Sequence, residues 1–292
     1  MSRRRKVGNG CDLSHRKDGP DPVESRINNI IASSKPAPEP IQIEVHAALD
    51  RLGALFRVDK TLVEALKSEL SIRLLTAETP DLYVFRPGRN PERVILLNFA
   101  ERDGVVRVHP AAVHEECAHA LRGLFHPSEN PMIQEFFGAL GPILALGKGH
   151  RAGGPSLDTV EAIYEMRQAG GDFKGIPDAL ADSLKQFLPP DILAQAESGG
   201  GKERLASGFL EHSANHMIPA IVAESMADTG YQAELMAGNN LLTLPAKEIA
   251  AILTDYGRRC ATDPAWKEKF KDFKKVCGYY LKPAIDVSEA RR

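Results

Sequence analysis

The spacing of the apolar residues changes twice along this chain. Of all the features of the sequence, this one most restricts the folds that the chain can adopt. Between residues 41 and 70 the apolar residues recur at helical intervals, as Val45 and Leu49 do. Between residues 71 and 108 they form short runs that are rich in β-branched side chains and separated by turn residues. Beyond Pro131 nearly every segment has helical spacing again. The pattern therefore predicts an α+β fold.

The same pattern predicts how the chain is organised. A small α/β subdomain with a short sheet of three or four strands, at least two of them in a hairpin, is expected over residues 41–130. It ends in a helix that begins at Pro110, because proline is favoured at the first helical position. A mostly helical subdomain follows over residues 131–285. The strands are expected at 71–76, 81–85, 93–98 and 105–108.

Composition and charge exclude several classes of protein. The 292 residues carry 37 Lys+Arg against 39 Asp+Glu, and this balance argues against a dedicated nucleic-acid binder. No apolar run is long enough for a membrane span. Residues 1–40 are basic and proline-rich and lack apolar periodicity, so we expect a disordered tail there. No signal-peptide pattern is present, and the four cysteines lack metal-binding spacing, which predicts a cytoplasmic protein or one exported by a non-classical route.

The helix predicted after the strands carries polar side chains within a segment of small and apolar residues. Two histidines and two glutamates occur close together, namely His114, Glu115, Glu116 and His119. Burying such groups is costly unless something pairs with them. A divalent metal is one natural partner, because imidazoles and carboxylates are its ligands and a further carboxylate can accept a proton from water.

This segment resembles the H-E-x-x-H helix of the zincin metallopeptidases, in which Ala-Leu often follows the motif, as Ala120-Leu121 does here. The order of elements is also similar. In zincins a helix and a small sheet precede the motif helix, and a helical subdomain across the cleft completes the site. In the gluzincin subgroup, the third ligand comes from a downstream E-x-x-x-D helix, a pattern that Glu224 and Asp228 match. The resemblance therefore implies a zincin-like cleft between the two subdomains.

Residue by residue, the resemblance implies a zinc site. His114 and His119 correspond to the two histidine ligands and Glu224 to the third ligand. Glu115 corresponds to the general base, and Asp228 to the acceptor that orients a histidine. His216 and Tyr231 are candidates for the group that stabilises the developing oxyanion. His212 and His216 are also spaced so that both can face one ligand, or they can be surface or capping residues.

The spacing of the motif departs from the family pattern by one residue. It reads H-E-x-x-x-H, so His114 and His119 lie about 140° apart on a regular helix and do not share a face. A one-residue π-bulge would bring them together. Alternatively, Glu115 and His119, about 40° apart, bind the metal and Glu116 becomes the base. We take the first solution, because zinc sites favour imidazole ligands, and keep the second as the alternative.

The sequence thus predicts a zinc-dependent hydrolase, a metallopeptidase that cleaves a protein or peptide substrate with metal-activated water. The substrate strand would pair with the edge of the sheet. One alternative is a di-iron carboxylate protein of the ferritin-like type, because Glu116 and His119 form the E-x-x-H element of such sites, although no second E-x-x-H occurs. Another is a non-enzymatic helical interaction module in which the motif is decayed or accidental.

Overall fold

The computed structural model describes most of the chain, and the chain divides into two compact units, Met1–Ser33 and Ser34–Arg292. The described part of the first unit is α1 (Pro22–Ser33), and every other element belongs to the second. Among the described helices, none is both long and apolar enough to cross a bilayer. The described residues are 22–76, 81–86, 91–127, 131–147, 177–185, 201–212, 218–238 and 240–262, with 188, 193, 196, 199 and 264 as single positions.

The second unit has an α+β architecture, as the spacing of apolar residues predicts. Its first half contains two helices, two small sheets and a long helix: β1 (Lys35–Pro36), α2 (Glu39–Leu55), α3 (Lys60–Glu69), β2 (Leu70–Leu74), β3 (Leu82–Arg86), β4 (Glu92–Leu97), β5 (Phe99–Arg102), β6 (Val105–Val108) and α4 (Pro110–Phe125). Its second half is helical: α5 (Pro131–Leu146), α6 (Asp178–Lys185), α7 (Gly201–His212), α8 (Ile218–Thr229), α9 (Tyr231–Gly238), a 3₁₀ turn (Leu241–Thr243) and α10 (Ala246–Thr262).

The larger sheet has the strand order β1-β2-β4-β3. β2 and β4 are parallel, and β3 returns antiparallel on the far side of β4, with Tyr83 opposite Ile95. β4 is one of the two interior strands, and its apolar side chains from Val94 to Leu97 are fully buried. The second sheet is the hairpin of β5 and β6, which turns at Asp103-Gly104. Both turn residues have positive φ, as the type I′ turn of two-residue hairpin loops requires.

α4 lies at the centre of the second unit. It contacts α2, α5, β3 and β4, and residues at 111–114 and 116–123 along it are buried. Its closest neighbour is α5, where a Cβ at Gly141 would lie 2.7 Å from the His114 carbonyl oxygen. The two backbones therefore approach to a distance that only glycine permits at this position.

Arg122 joins α4 to the helical half. Its side chain is fully buried and lies over the Phe137 ring of α5, 4.5 Å from the ring centroid. The guanidinium donates hydrogen bonds to the carbonyls of Leu241 and Leu242 in the 3₁₀ turn, at 3.1 and 2.7 Å. Because both carbonyls are satisfied by a buried cation, this contact holds the 3₁₀ turn against α4.

The structure differs from the sequence-based expectations near the start of the chain. Residues 1–40 were expected to be disordered, yet α1 occupies 22–33 and β1 pairs with β2. Ile27, Ile30 and Ile31 recur at helical intervals and give α1 one apolar face. Within the helical subdomain, the spacing of apolar residues also predicts helices at 157–168 and 264–280, and these lie outside the described residues, apart from position 264.

Candidate metal centre

The motif segment folds as a regular α-helix from its first residue to its last. Pro110 occupies the first turn of α4, and His109 is the residue that precedes it in extended conformation. All residues from 110 to 125 are α-helical, without a π-bulge. The helix period therefore places His114 and His119 on different faces, because no extra residue is accommodated between them.

Three side chains from α4 and α5 converge on one point. Ligand atoms of Glu115, His119 and Glu135 all lie within 4.8 Å of one another. His119 Nε2 is 3.7 Å from a carboxylate oxygen of Glu135. His119 is buried, whereas the two carboxylates are partly exposed. One imidazole and two carboxylates form a set of three protein ligands that can hold a divalent transition metal and leave a position open.

Two further carboxyl groups lie beside this cluster. Glu116 is buried, and desolvation raises its pKa well above the usual range. The negative charges of Glu115, Asp81 and Glu135 raise it further, whereas a hydrogen bond from the Tyr83 backbone N–H lowers it. Burial also raises the pKa of Asp81, although this carboxylate accepts a hydrogen bond from the Asn98 backbone N–H at 2.6 Å. The surroundings of the cluster are thus rich in carboxyl oxygens, and burial raises the pKa of both of these further carboxyl groups.

His114 belongs to a different environment. Its Nδ1 lies 2.8 Å from the Pro110 carbonyl oxygen, so Nδ1 carries the proton and donates. Its Nε2 is buried and has no hydrogen-bond partner among the described residues. Desolvation lowers the pKa of the imidazole, and charges on Arg51 and Glu44 of α2 act on it as well. His114 is not among the three converging side chains.

The helix expected to supply the third ligand is present as α8, but it packs against α5 and does not provide one of the three converging side chains. α8 contacts α5, and Gly230 with φ 76° follows its last residue. Glu224 is half-buried on α8 and is not among the converging side chains. Asp228 lies in the same helix, and its side chain is outside the described set. The contact between α8 and α5 supports the helix that carries Glu135.

The candidates for oxyanion stabilisation have separate positions. Tyr231 is buried at the start of α9, and its hydroxyl donates to Asp255 Oδ2 at 3.2 Å. Burial and the Asp255 charge raise the pKa of this phenol, and its ring packs on Tyr256 at 5.0 Å between centroids. His212 is the last residue of α7, with its side chain outside the described set, and His216 lies outside the described residues altogether.

Glu135 is the candidate ligand that sequence reasoning missed. The signal was present, because Glu135 is the one charged residue in the apolar segment 131–146. An acid within such a segment is costly to bury without a partner. Its relation to Glu115 and His119 depends on how α5 packs against α4, and residue spacing within a single helix does not encode that packing.

Comparisons of the chain with protein-family models, with curated proteins and with solved structures find no match. The resemblance to zincins consequently rests on the sequence motif and on the order of elements, and the chemistry of the site must be argued from its own residues.

Proposed function

We propose that this chain is a metal-dependent hydrolase whose divalent metal is held by Glu115, His119 and Glu135. The observation that carries the proposal is the convergence of their ligand atoms within 4.8 Å. Glu115 and His119 are the pair of the alternative that the motif spacing left open, in which Glu115 replaces His114, and Glu135 takes the place that the sequence assigned to Glu224. Zinc is the metal that we propose, and a peptide bond is the substrate that the resemblance to zincins favours.

Each residue has a distinct part in this proposal. A metal at this position would supply a Lewis acid that polarises a substrate carbonyl and lowers the pKa of an adjacent water. Glu116 follows Glu115 on α4, and burial together with the neighbouring carboxylates raises its pKa. A positive charge nearby favours the ionised form of that carboxyl, so Glu116 is suited to exchange a proton with the reacting groups.

The experiment uses two variants that separate the two ligand assignments. With Glu115 as a ligand, Glu115→Gln should lose zinc, whereas Glu116→Gln should keep zinc and lose hydrolysis of a peptide library. If Glu115 is instead the base of a His114, His119 and Glu224 site, Glu115→Gln keeps zinc and loses hydrolysis. Metal content by mass spectrometry and zinc affinity by competition with a chelator are measured for each purified variant.

The stabilisation of the fold by bound zinc provides a second measurement and its control. Zinc at 100 times its Kd should stabilise the wild-type fold by about 2.7 kcal/mol. Glu101→Gln, which changes an exposed acid on β5, should leave both affinity and stabilisation unchanged. Unchanged unfolding of the wild-type chain on addition of zinc or chelator would reject the metal proposal and favour the interaction-module alternative.

One observation favours a second candidate function. The carboxyl groups of Asp81, Glu115, Glu116 and Glu135 influence one another electrostatically around one imidazole, and an oxygen-rich environment suits iron or manganese as well as zinc. A di-iron carboxylate protein would bind about two irons per chain and show an oxo-bridge absorption. Iron and zinc titrations of the same preparation distinguish the two.

A further inference from the structure

Gly138 of α5 lies directly against the imidazole of His119. A Cβ built at this position would be 2.6 Å from His119 Cε1, 3.1 Å from Cδ2 and closer still to Nε2. The distances to Nε2 and Cε1 are shorter than real Cβ atoms essentially ever show, so a side chain at 138 requires the ring or the helix to shift. The atom most crowded would be Nε2, which is the nitrogen nearest to Glu135.

The contact at Gly138 differs from the contact at the other glycine of the same interface. A Cβ at Gly141 would meet the His114 carbonyl oxygen and the Ala118 Cβ, which are fixed by the backbone of α4. Gly141 therefore sets the distance between the two helices. The three atoms nearest to a Cβ at Gly138 all belong to one side chain, the imidazole of His119, so Gly138 sets the position of the ring.

The local structure of α5 makes this position unusual. Pro142 lies inside the helix four residues after Gly138 and has no N–H. The hydrogen bond that a helix normally makes to the carbonyl of residue 138 therefore cannot form. In a regular helix, a proline ring also clashes with the carbonyl of the residue four positions earlier. A glycine at 138 accommodates both the proline ring on its carbonyl and the imidazole on its Cα.

We infer that Gly138 is a positioning residue of the candidate metal centre. Because it has no side chain, it leaves the space that the His119 imidazole occupies when Nε2 faces Glu135. This inference rests on the proposed function for its metal-binding consequence. Its steric part depends only on the contact between Gly138 and His119. A methyl group at 138 would turn the ring away from the shared point or push α5 outward, and either movement would separate the candidate ligands.

The test compares Gly138→Ala with Gly257→Ala. Both substitutions add one methyl group within a helix, but a Cβ at Gly257 meets nothing within 4 Å. Gly138→Ala should weaken zinc binding by about 10–100-fold, the loss typical of residues that orient a ligand, and should change the Co²⁺ absorption spectrum. Gly257→Ala should change neither. Equal zinc affinity and equal Co²⁺ spectra in all three proteins would overturn the inference.

A second measurement separates failure of this inference from failure of the proposed function. In metal-free protein, Gly138→Ala should lower the midpoint of urea unfolding, and the loss should largely disappear when His119 is already alanine, because the ring is then gone. An equal loss in both backgrounds overturns the steric argument. If the wild-type chain binds no zinc while this coupling is observed, the proposed function fails, and Gly138 remains the residue that positions the imidazole.

Discussion

The clearest test of the electrostatics of the candidate site is Glu116→Gln, studied by stability rather than by activity. Glu116 is 5% exposed, and its carboxyl accepts a hydrogen bond from the Tyr83 backbone N–H. Glutamine has a similar shape and keeps an acceptor for this bond, but it does not titrate. The substitution therefore removes the ionisation of a single buried group with little change in packing.

The sign and size of the effect follow from linkage. The pKa of Glu116 is well above 4.5 in the folded chain because of desolvation and neighbouring carboxylates. The folded state binds this proton more tightly than the unfolded state, so its contribution to stability is complete below pH 4.5 and is lost as pH rises toward the folded pKa. One proton limits the slope to about 1.4 kcal/mol per pH unit. Glu116→Gln should lack this loss and gain stability relative to wild type as pH rises.

Urea unfolding in the presence of a chelator, at several pH values between 5 and 8, measures this difference directly. A chelator is required because a bound cation would itself lower the pKa of Glu116. Glu101→Gln on exposed β5 is the matched control and should follow the wild-type curve at every pH. Parallel pH curves for wild type and Glu116→Gln would refute the conclusion that burial beside other acids raises the pKa of this carboxyl.

Two further predictions concern the helices around the site. Arg122→Met leaves the carbonyl of Leu242 without its buried donor and should lower the free energy of unfolding by about 2–5 kcal/mol in urea titrations, so a change within about 0.5 kcal/mol would contradict the role of this contact. Tyr231→Phe removes the hydrogen bond to Asp255 and should cost about 1 kcal/mol with hydrolysis unaffected. Loss of hydrolysis with unchanged stability would instead support the oxyanion role for which Tyr231 is a candidate.

The strands show which parts of the fold local sequence can encode. The observed strands β2, β3, β4 and β6 coincide closely with the predicted runs. Short runs of β-branched residues between turn residues favour strands over other secondary structure. β5 (Phe99–Arg102) was not expected. Three of its four residues are exposed, and its strand conformation depends on pairing with β6, which no periodicity within the segment shows. Composition likewise does not reveal α1, whose isoleucines form only a short apolar face.

The candidate site was predictable in part for a similar reason. Glu115 and His119 lie one helical turn apart, so their proximity follows from the helix period, as the alternative assignment recognised. Glu135 could not be assigned, because its place beside His119 depends on two glycines of α5, of which Gly141 lets the helix approach α4 and Gly138 leaves space for the imidazole. These glycines act through atoms of the neighbouring helix, and a pattern read along one segment does not contain that information.

The three candidate ligands lie between residues 115 and 135, on two consecutive helices. The entropy cost of closing a loop rises with its length, so bringing together ligands from two consecutive helices loses little chain entropy. Such a centre is also modular. Any circular permutation or domain insertion that leaves residues 110–146 contiguous would keep every candidate ligand, together with Gly138 and Gly141, on a single uninterrupted segment.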